Sequence, residues 1–164
     1  MSACPVCIQA VDHILPLFAT DAEIPLLRAQ LVQESGLDPL AQSPTGPIGV
    51  SQFTRRTWAE MLPDSPPEHR VDIYHAIMAQ VLYMKPLLGW AAGFATGEDV
   101  ARFALAAYNA GRGAIEHTRT KAHTEGRHPE VWAEVSHFLP FILGPDKASE
   151  TSNYVTRIMG SIKP

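Results

Sequence analysis

Glu34, Ser35 and Gly36 form the segment of this chain whose residue types best suit acid–base chemistry. Leu27 and Leu31 precede Glu34 at spacings of four and three, so the glutamate continues an apolar stripe on one helix face. A carboxyl where such a stripe meets a polar loop is partly desolvated, which raises its pKa and keeps it protonated near neutral pH. Such a group can serve as a general acid. On position alone, a surface glutamate in the last helical turn is the alternative.

The elements around this glutamate are predicted from local signals. Asp21 is a plausible N-cap for a helix over residues 23–35, and Gly36 suits a left-handed cap at its end. Pro39 prevents the helix from resuming, and it opens a Pro/Gly/Ser-rich loop over residues 39–52. The side chain of the glutamate is therefore expected to project where ordered helix meets loop.

Three further segments follow this helix in a fixed order. Residues 46–53 read Gly-Pro-Ile-Gly-Val-Ser-Gln-Phe, residues 107–111 read Ala-Tyr-Asn-Ala-Gly, and Glu-Thr at 150–151 precedes Tyr154. Together with the glutamate–serine pair, these segments resemble the four signature segments of soluble lytic transglycosylases. Those enzymes belong to the lysozyme-like superfamily and cleave the glycan strands of peptidoglycan. The resemblance covers about residues 24–158.

The resemblance implies a mechanism with one catalytic carboxyl. Glu34 would protonate the glycosidic oxygen between N-acetylmuramic acid and N-acetylglucosamine, while the substrate's acetamido group stabilises the developing charge. The same carboxylate would then deprotonate the 6-hydroxyl, which closes a 1,6-anhydro ring without water. No metal or organic cofactor is required. The rival functions are a goose-type muramidase that uses water on the same fold, and a glycan-binding module that has lost activity.

The same resemblance implies roles for residues around the cleft. Glu150 is expected to be a buried structural glutamate rather than a second catalytic acid, and Tyr154, one turn later, to point to Glu34 or the substrate. The local sequence Leu37-Asp38-Pro39, apart from the resemblance, indicates that Asp38 is a turn residue rather than a base. Substrate contacts are assigned to Ser43, Gln52, Tyr108, Asn109 and Tyr154, and structural positions near the site to Ser35, Gly49, Gly111 and Glu150.

Some residue types leave alternatives open. Tyr108 offers an apolar ring face with a hydroxyl, and Asn109 offers a donor and an acceptor, but a core tyrosine and a helix C-cap would explain them as well. The loop departs from the family's usual Gly-Leu-Met-Gln, because Val50 and Ser51 replace Leu and Met. The smaller pair is expected to loosen packing against the sugar, whereas Gln52 is kept.

Composition agrees with a compact enzyme. With 164 residues, 46% of them hydrophobic, the chain is predicted to form a single domain over residues 1–164, and to act as a monomer. The net charge of −4, with 13 basic residues scattered among 17 acidic ones, argues against a nucleic-acid partner. Substrate binding is expected to depend on short-range contacts in a groove.

The N-terminal segment shows no secretory signal pattern, and no apolar run reaches the length of a membrane span. Peptidoglycan lies outside the cytoplasmic membrane, so the sequence favours an enzyme that a partner brings to the wall. A bacteriophage lysin released by a holin, a virion component and a secretion-system enzyme each fit. A chain trimmed of its signal peptide is the alternative.

Cysteines and histidines give weak metal signals. Cys4 and Cys7 are spaced as one Cys-x-x-Cys pair without a second pair at zinc spacing, so two incidental thiols are favoured over a disulfide or a metal site. His117, His123 and His128 lie in a polar stretch and are predicted to be solvated rather than ligating.

Periodicity predicts a mainly α fold, a single lysozyme-like helical domain in which residues 48–53 could form a short hairpin arm. Thr54 is a candidate N-cap, Trp58 and Met61 are expected to face inward, and Pro86 is expected to kink or end the longest helix. Gly111 is expected to stop another helix. The predicted helices cover residues 11–19, 23–35, 55–62, 68–88, 98–109, 128–143 and 149–162.

Overall fold

The computed structural model describes residues 5–162, and these residues form helices joined by loops and two isolated β-bridges. The prediction of a mainly α fold is confirmed. The helices are α1 (Pro5–Phe18), α2 (Ile24–Ser35), α3 (Arg55–Met61), α4 (Ile73–Ala92), α5 (Glu98–Ala110), α6 (Arg112–Thr124), α7 (Trp132–Val135), α8 (Leu139–Leu143) and α9 (Pro145–Ser161), with 3-10 turns at Pro67–Val71 and Ser136–Phe138.

Contacts along the chain define two compact units. One comprises residues 5–83 and the other residues 84–162, and the boundary falls within α4. The prediction of a single domain over the whole chain stays a prediction. Among the described residues, no helix is both long enough and apolar enough to cross a membrane.

The first unit packs α1, α2, α3 and the start of α4 around one core. Thr54 caps α3 as predicted, because its hydroxyl accepts a 3.1 Å hydrogen bond from the Thr57 N–H. Trp58 is fully buried, and its indole N–H donates to the Ser65 carbonyl oxygen. Each fully buried aliphatic side chain contributes about 1.5–3 kcal/mol. The core includes Val11, Leu15, Leu27, Leu31, Trp58 and Ile77.

The second unit is organised around α5. Its buried face includes Phe103, which is fully buried and whose ring centroid lies 5.1 Å from that of Phe94 and 5.3 Å from that of Trp132. The Arg119 guanidinium lies 3.2 Å from the Phe94 ring centroid, and burial lowers the pKa of this group. These contacts fix α5, whose C-terminal end carries Tyr108.

The start of α2 differs from the prediction. Asp21 is not the N-cap, because the helix begins at Ile24 and the flanking Glu23 makes no side-chain capping bond. The Glu23 carboxylate instead accepts hydrogen bonds from the N–H and hydroxyl of Thr20, at 2.8 and 2.9 Å. A turn that begins at Thr20 therefore leads the chain into the helix.

The predicted helix over residues 68–88 is two elements. The chain breaks at Asp72, whose carboxylate accepts from the His75 N–H at 2.9 Å and so caps the start of α4. Pro86 does not end the helix, which continues to Ala92. Proline has no N–H, so Pro86 cannot donate to the carbonyl oxygen of Leu82, one turn earlier. Both residues are exposed, and water can therefore hydrogen-bond that carbonyl oxygen.

Other elements also differ in extent. α1 begins at Pro5 rather than at residue 11, and α9 begins at Pro145 rather than at residue 149. Proline is favourable in the first helical turn, because the N–H that it lacks has no partner there. The predicted helix over residues 128–143 is divided into α7, a 3-10 turn and α8, and α6 was not predicted. Instead of a hairpin over residues 48–53, the described residues contain only the isolated bridges that Ile48 makes with Gln42 and Phe53.

Candidate active site

Glu34 lies in the last turn of α2, where its side chain is half-buried. Leu27 and Leu31 of the same stripe are 1% and 0% exposed, as the spacing predicts. Gly36 ends the helix at φ +65°, and its N–H donates to the Val32 carbonyl oxygen at 2.8 Å. The predicted position of the carboxyl, between an apolar stripe and a loop, is confirmed.

Ser35 attaches this helix end to the loop that follows. Its hydroxyl donates a 2.9 Å hydrogen bond to the Val50 carbonyl oxygen and lies 3.4 Å from the Leu31 carbonyl oxygen of its own helix. The shorter bond spans fifteen residues of sequence. Ser35 therefore attaches the loop at Val50 to the residue that follows Glu34.

Gln52 is a second attachment point within the loop. Its backbone has a positive φ of +51°, and its side-chain amide nitrogen donates to the carbonyl oxygens of Ala41 and Gly49, at 3.1 and 2.9 Å. Both amide hydrogens are thereby used, so the group that Gln52 can offer to a sugar is its side-chain oxygen. An acceptor of this kind suits the N–H of an acetamido group.

Ser43 occupies a turn in the same loop. Its N–H donates to the Pro47 carbonyl oxygen at 2.9 Å, its carbonyl oxygen accepts from the Gly46 N–H at 3.0 Å, and its hydroxyl lies 3.0 Å from that of Thr45. The backbone of Ser43 is therefore fixed by the turn, and its hydroxyl can exchange partners at low cost because the residue is only half-buried.

Val50 and Ser51 do not lie where the sequence placed them. Val50 is 0% exposed and Ser51 is 1% exposed, so neither side chain can contact a sugar. The expectation that this pair loosens packing against the substrate is wrong. The Ser51 hydroxyl instead donates to the Ala76 carbonyl oxygen at 2.8 Å, inside the first unit.

Asp38 is a turn residue, as predicted. Its carboxylate accepts a 2.9 Å hydrogen bond from the Leu40 N–H, two residues later, and the side chain is exposed. Between residues 24 and 54 it is the only carboxyl besides Glu34. This segment therefore holds one carboxyl at the helix end and one that stabilises its own turn.

In the second unit, Asn109 joins α5 to α9. Its side-chain nitrogen donates to a Glu150 carboxylate oxygen at 3.2 Å, and its side-chain oxygen accepts from the Thr151 hydroxyl at 2.8 Å. The helix continues to Ala110 and is capped by Gly111 at φ +89°, so Asn109 is not the C-cap. The predicted helix stop at Gly111 is confirmed.

Glu150 is exposed, so the prediction of a buried structural glutamate is wrong. Its side chain retains 58% exposure because it points from α9 toward Lys147, whose ammonium lies 2.6 Å away. The hydrogen bond from Lys147, helped by that from Asn109, holds the pKa of Glu150 below its ordinary value. The buried neighbour in this motif is Thr151, at 0% exposure.

Glu150→Gln is consequently expected to lower the free energy of unfolding by less than about 1 kcal/mol at pH 7, because the ion pair is solvent-screened. Because the pKa of Glu150 is lower in the folded state, the ionised carboxylate stabilises the fold when the pH is above the unfolded-state pKa of about 4.3. This contribution is lost as the pH falls through the folded-state pKa. The difference from the parent should therefore shrink as the pH is lowered below about 4.3. Urea unfolding at pH 7 and at a series of lower pH values measures it.

Thr151→Val is the matched comparison, since it removes a buried hydroxyl from the same cluster. Thr151→Val is expected to lower the free energy of unfolding by about 1–2 kcal/mol, which is more than for Glu150→Gln. This loss should not depend on pH. A larger loss for Glu150→Gln than for Thr151→Val would restore the structural role that the sequence suggested for the glutamate.

The two tyrosines of the motifs differ in burial. Tyr154 is only 7% exposed, whereas Tyr108 is half-buried at the end of α5. Tyr154 and Glu150 are four residues apart on α9, yet one is buried and the other is exposed. The two side chains therefore lie on either side of the boundary between the buried and the exposed face of α9.

Metal signals are weak in the part of the chain that the structure describes. No group of three or more His, Cys, Asp or Glu side chains there could hold a metal ion. Cys7 is half-buried in α1, and Cys4 lies outside the described residues. His117, His123 and His128 are exposed, as predicted.

Comparisons with known proteins agree with the motifs. Residues 19–130 match the family described as Transglycosylase SLT domain. The membrane-bound lytic murein transglycosylases F of Shewanella halifaxensis and Citrobacter koseri are 32% and 33% identical over 142 and 143 residues, which is 82% of this chain in each case. The chain spans 29% and 27% of those two relatives.

A solved structure shows the same fold. The 70 kDa soluble lytic transglycosylase of Escherichia coli superposes with a TM-score of 0.66 over 94% of this chain and 23% of its own, at 21% identity. The family match covers more than half of the chain, and it includes Glu34, the loop and the Tyr108–Asn109 motif. This chain therefore belongs to the transglycosylase SLT domain family.

Proposed function

We propose that this chain is a lytic transglycosylase that cleaves the β-1,4 bond between N-acetylmuramic acid and N-acetylglucosamine in peptidoglycan. The observation that carries the proposal is that the two carboxyls of residues 24–54 differ in burial and in position. Glu34 stands at the helix end, half-buried, whereas Asp38 accepts from its own turn and is exposed. Family membership and the names of the relatives support the same reaction.

One carboxyl is sufficient for this reaction. Protonated Glu34 donates its proton to the glycosidic oxygen, which leaves as the 4-hydroxyl of N-acetylglucosamine, while the acetamido oxygen of the muramic acid bonds to the anomeric carbon. The Glu34 carboxylate then takes the proton of the 6-hydroxyl, whose oxygen attacks the same carbon and releases the acetamido group. Glu34 ends protonated again, and no water is consumed.

The proposal assigns groups that can contact a glycan to each unit by itself. In the first, the Gln52 side-chain oxygen is available as an acceptor for an acetamido N–H, and the Ser43 hydroxyl as a donor. In the second, the half-buried Tyr108 ring offers a stacking face, and Asn109 and Tyr154 offer polar groups.

Digestion of intact peptidoglycan is expected to release muropeptides that end in 1,6-anhydro-N-acetylmuramic acid, lighter by one water than reducing muropeptides. The reason is that the 6-hydroxyl attacks from within the same sugar, where effective molarity is very large, on the order of 10⁵ M or more. Mass spectrometry of the soluble fragments, without borohydride reduction, measures the ratio of the two ends.

Mainly reducing ends would instead identify a muramidase of goose-type lysozyme character, in which water takes the place of the 6-hydroxyl. Binding to peptidoglycan without release of fragments would identify an inactive glycan-binding module. Either result would overturn the proposed reaction.

A further inference from the structure

We propose that Ser51, Gln30 and Gln80 are positioning residues for Glu34. Together with Ser35, these residues make hydrogen bonds that join α2 to the loop, the loop to α4, and α4 back to α2. We call this set of residues the polar brace. The inference depends on the proposed function, because the role of these residues is to hold the catalytic carboxyl of Glu34 in position.

The first half of the brace leads from the catalytic helix to α4. Ser35, directly after Glu34, donates to the Val50 carbonyl oxygen at 2.9 Å. Ser51, the next residue of the loop, donates to the Ala76 carbonyl oxygen at 2.8 Å. The loop is thereby attached to the catalytic helix on one side and to α4 on the other.

The second half returns from α4 to the catalytic helix. Gln80 lies one turn after Ala76, and its side-chain nitrogen donates to the Gln30 side-chain oxygen at 2.8 Å and to the Leu27 carbonyl oxygen at 3.2 Å. Gln30 lies one turn before Glu34 on α2. The brace therefore holds the helix on both sides of Glu34, at Gln30 and at Ser35.

Burial separates this role from substrate binding. Gln30 and Gln80 are 0% exposed and Ser51 is 1% exposed, so none of them can touch a glycan. Apolar contacts of α2 resist separation from the core but permit small rotation and sliding, whereas hydrogen bonds of fixed length and angle oppose both. A displacement of about 1 Å at a catalytic group can reduce a rate about a hundredfold.

The brace also contains a feature that does not favour stability. Among the described residues, the buried side-chain oxygen of Gln80 has no hydrogen-bond partner. An unpaired buried acceptor is destabilising, and removal of both members of a buried polar pair can be nearly neutral for stability. A positioning role gives a reason for two fully buried glutamines at the contact between α2 and α4.

The test uses two variants that remove different parts of the brace. Gln30→Leu/Gln80→Leu removes both glutamines together, and Ser51→Ala removes the bond between the loop and α4. Thr118→Val is the matched control, because Thr118 is also fully buried but its hydroxyl bonds only to its own helix, at the Ala114 carbonyl oxygen. All are assayed on soluble, uncrosslinked glycan strands at a temperature where circular dichroism shows them fully folded.

Both brace variants are expected to lower kcat by about tenfold or more while KM stays within about twofold, since the ground-state contacts are unchanged. The limb of the kcat–pH profile that reports Glu34 should also shift, which a loss of folded protein cannot produce. Thr118→Val should retain the parent kcat and pH profile. If the double variant fails to fold, the kcat and the pH profile of Ser51→Ala alone test the inference.

Parent kcat and parent pH profile in a folded brace variant would overturn the inference. An equal loss of kcat in Thr118→Val would also overturn it, because any buried polar group would then have the same effect. These results are distinct from failure of the proposed function, which would show as a parent chain without activity on peptidoglycan, or as Glu34→Gln with the activity of the parent.

Discussion

Glu34→Gln is expected to lower kcat on peptidoglycan by about two to four orders of magnitude, the usual contribution of a general acid or base. The loss should lie toward the upper end, because the same carboxyl acts in both steps of the proposed reaction. The amide keeps the shape of the side chain, but it has no acidic proton to donate and is not basic enough to accept one. Release of soluble muropeptides, followed over time with matched protein concentrations, measures the effect.

Asp38→Asn is the control for this variant. It removes the other carboxyl of the helix–loop segment, while an asparagine oxygen can still accept the hydrogen bond from the Leu40 N–H. The rate and melting temperature are expected to stay close to those of the parent. A Glu34→Gln protein that degrades peptidoglycan at nearly the parent rate, or an Asp38→Asn protein that loses as much activity, would remove the single-acid mechanism.

Helix α2 could be predicted because its signals are local. The apolar spacing of Leu27 and Leu31, the glycine at 36 and the proline at 39 all act within a few residues, and the structure has the helix end where they indicate. The start of the same helix was mispredicted because a turn beginning at Thr20 also depends on the Glu23 side chain, which competes with Asp21 as a local acceptor.

Helix α6 was missed because it is polar and begins beside two glycines. Its apolar stripe is short, but ion pairs at i,i+4 support it, with Arg112 bonded to Glu116 at 2.7 Å and Lys121 bonded to Glu125. Charge spacing of this kind is readable from the sequence and indicates an exposed helix. Hydrophobic periodicity alone could not find it.

Long-range pairs in the candidate site could not be predicted. The bonds of Asn109 to Glu150 and Thr151 join residues 41 and 42 positions apart, and nothing local specifies them. Gln80 gave a usable signal, since it is a polar residue between Ile77 and Met84 in a helical stripe, whereas Gln30 follows Leu26 and Leu27 but precedes polar residues on its face. A buried amide needs hydrogen-bond partners, and the Gln80 side-chain nitrogen finds one in the Gln30 side-chain oxygen.

Gly49 is a closely packed residue of the loop that follows α2. Gly49 has φ +80°, and a Cβ added there would lie 2.8 Å from the Arg70 carbonyl carbon and closer still to its oxygen. The Arg70 backbone cannot move easily, because its guanidinium donates to the carbonyl oxygens of Phe53 and Pro67, at 3.1 and 2.8 Å.

Gly49→Ala is therefore expected to lower the free energy of unfolding by roughly 3–5 kcal/mol, the sum of backbone strain and overpacking. The melting temperature should fall by about 10 °C in a chain of this length. Activity should fall further than stability alone explains, because Gln52 donates to the Gly49 carbonyl oxygen and would move with it. Thermal unfolding and muropeptide release on the same samples measure both effects.

Gly46→Ala separates the two causes, since Gly46 also has a positive φ, +107°, but nothing lies within 4 Å of an added Cβ. Its cost should be limited to backbone strain, about 1–3 kcal/mol. If Gly49→Ala unfolds no earlier than Gly46→Ala, the close approach of Gly49 to Arg70 does not constrain the loop. A larger loss for Gly49→Ala means that the contact with Arg70 fixes the loop beside Glu34, because strain alone is common to both variants.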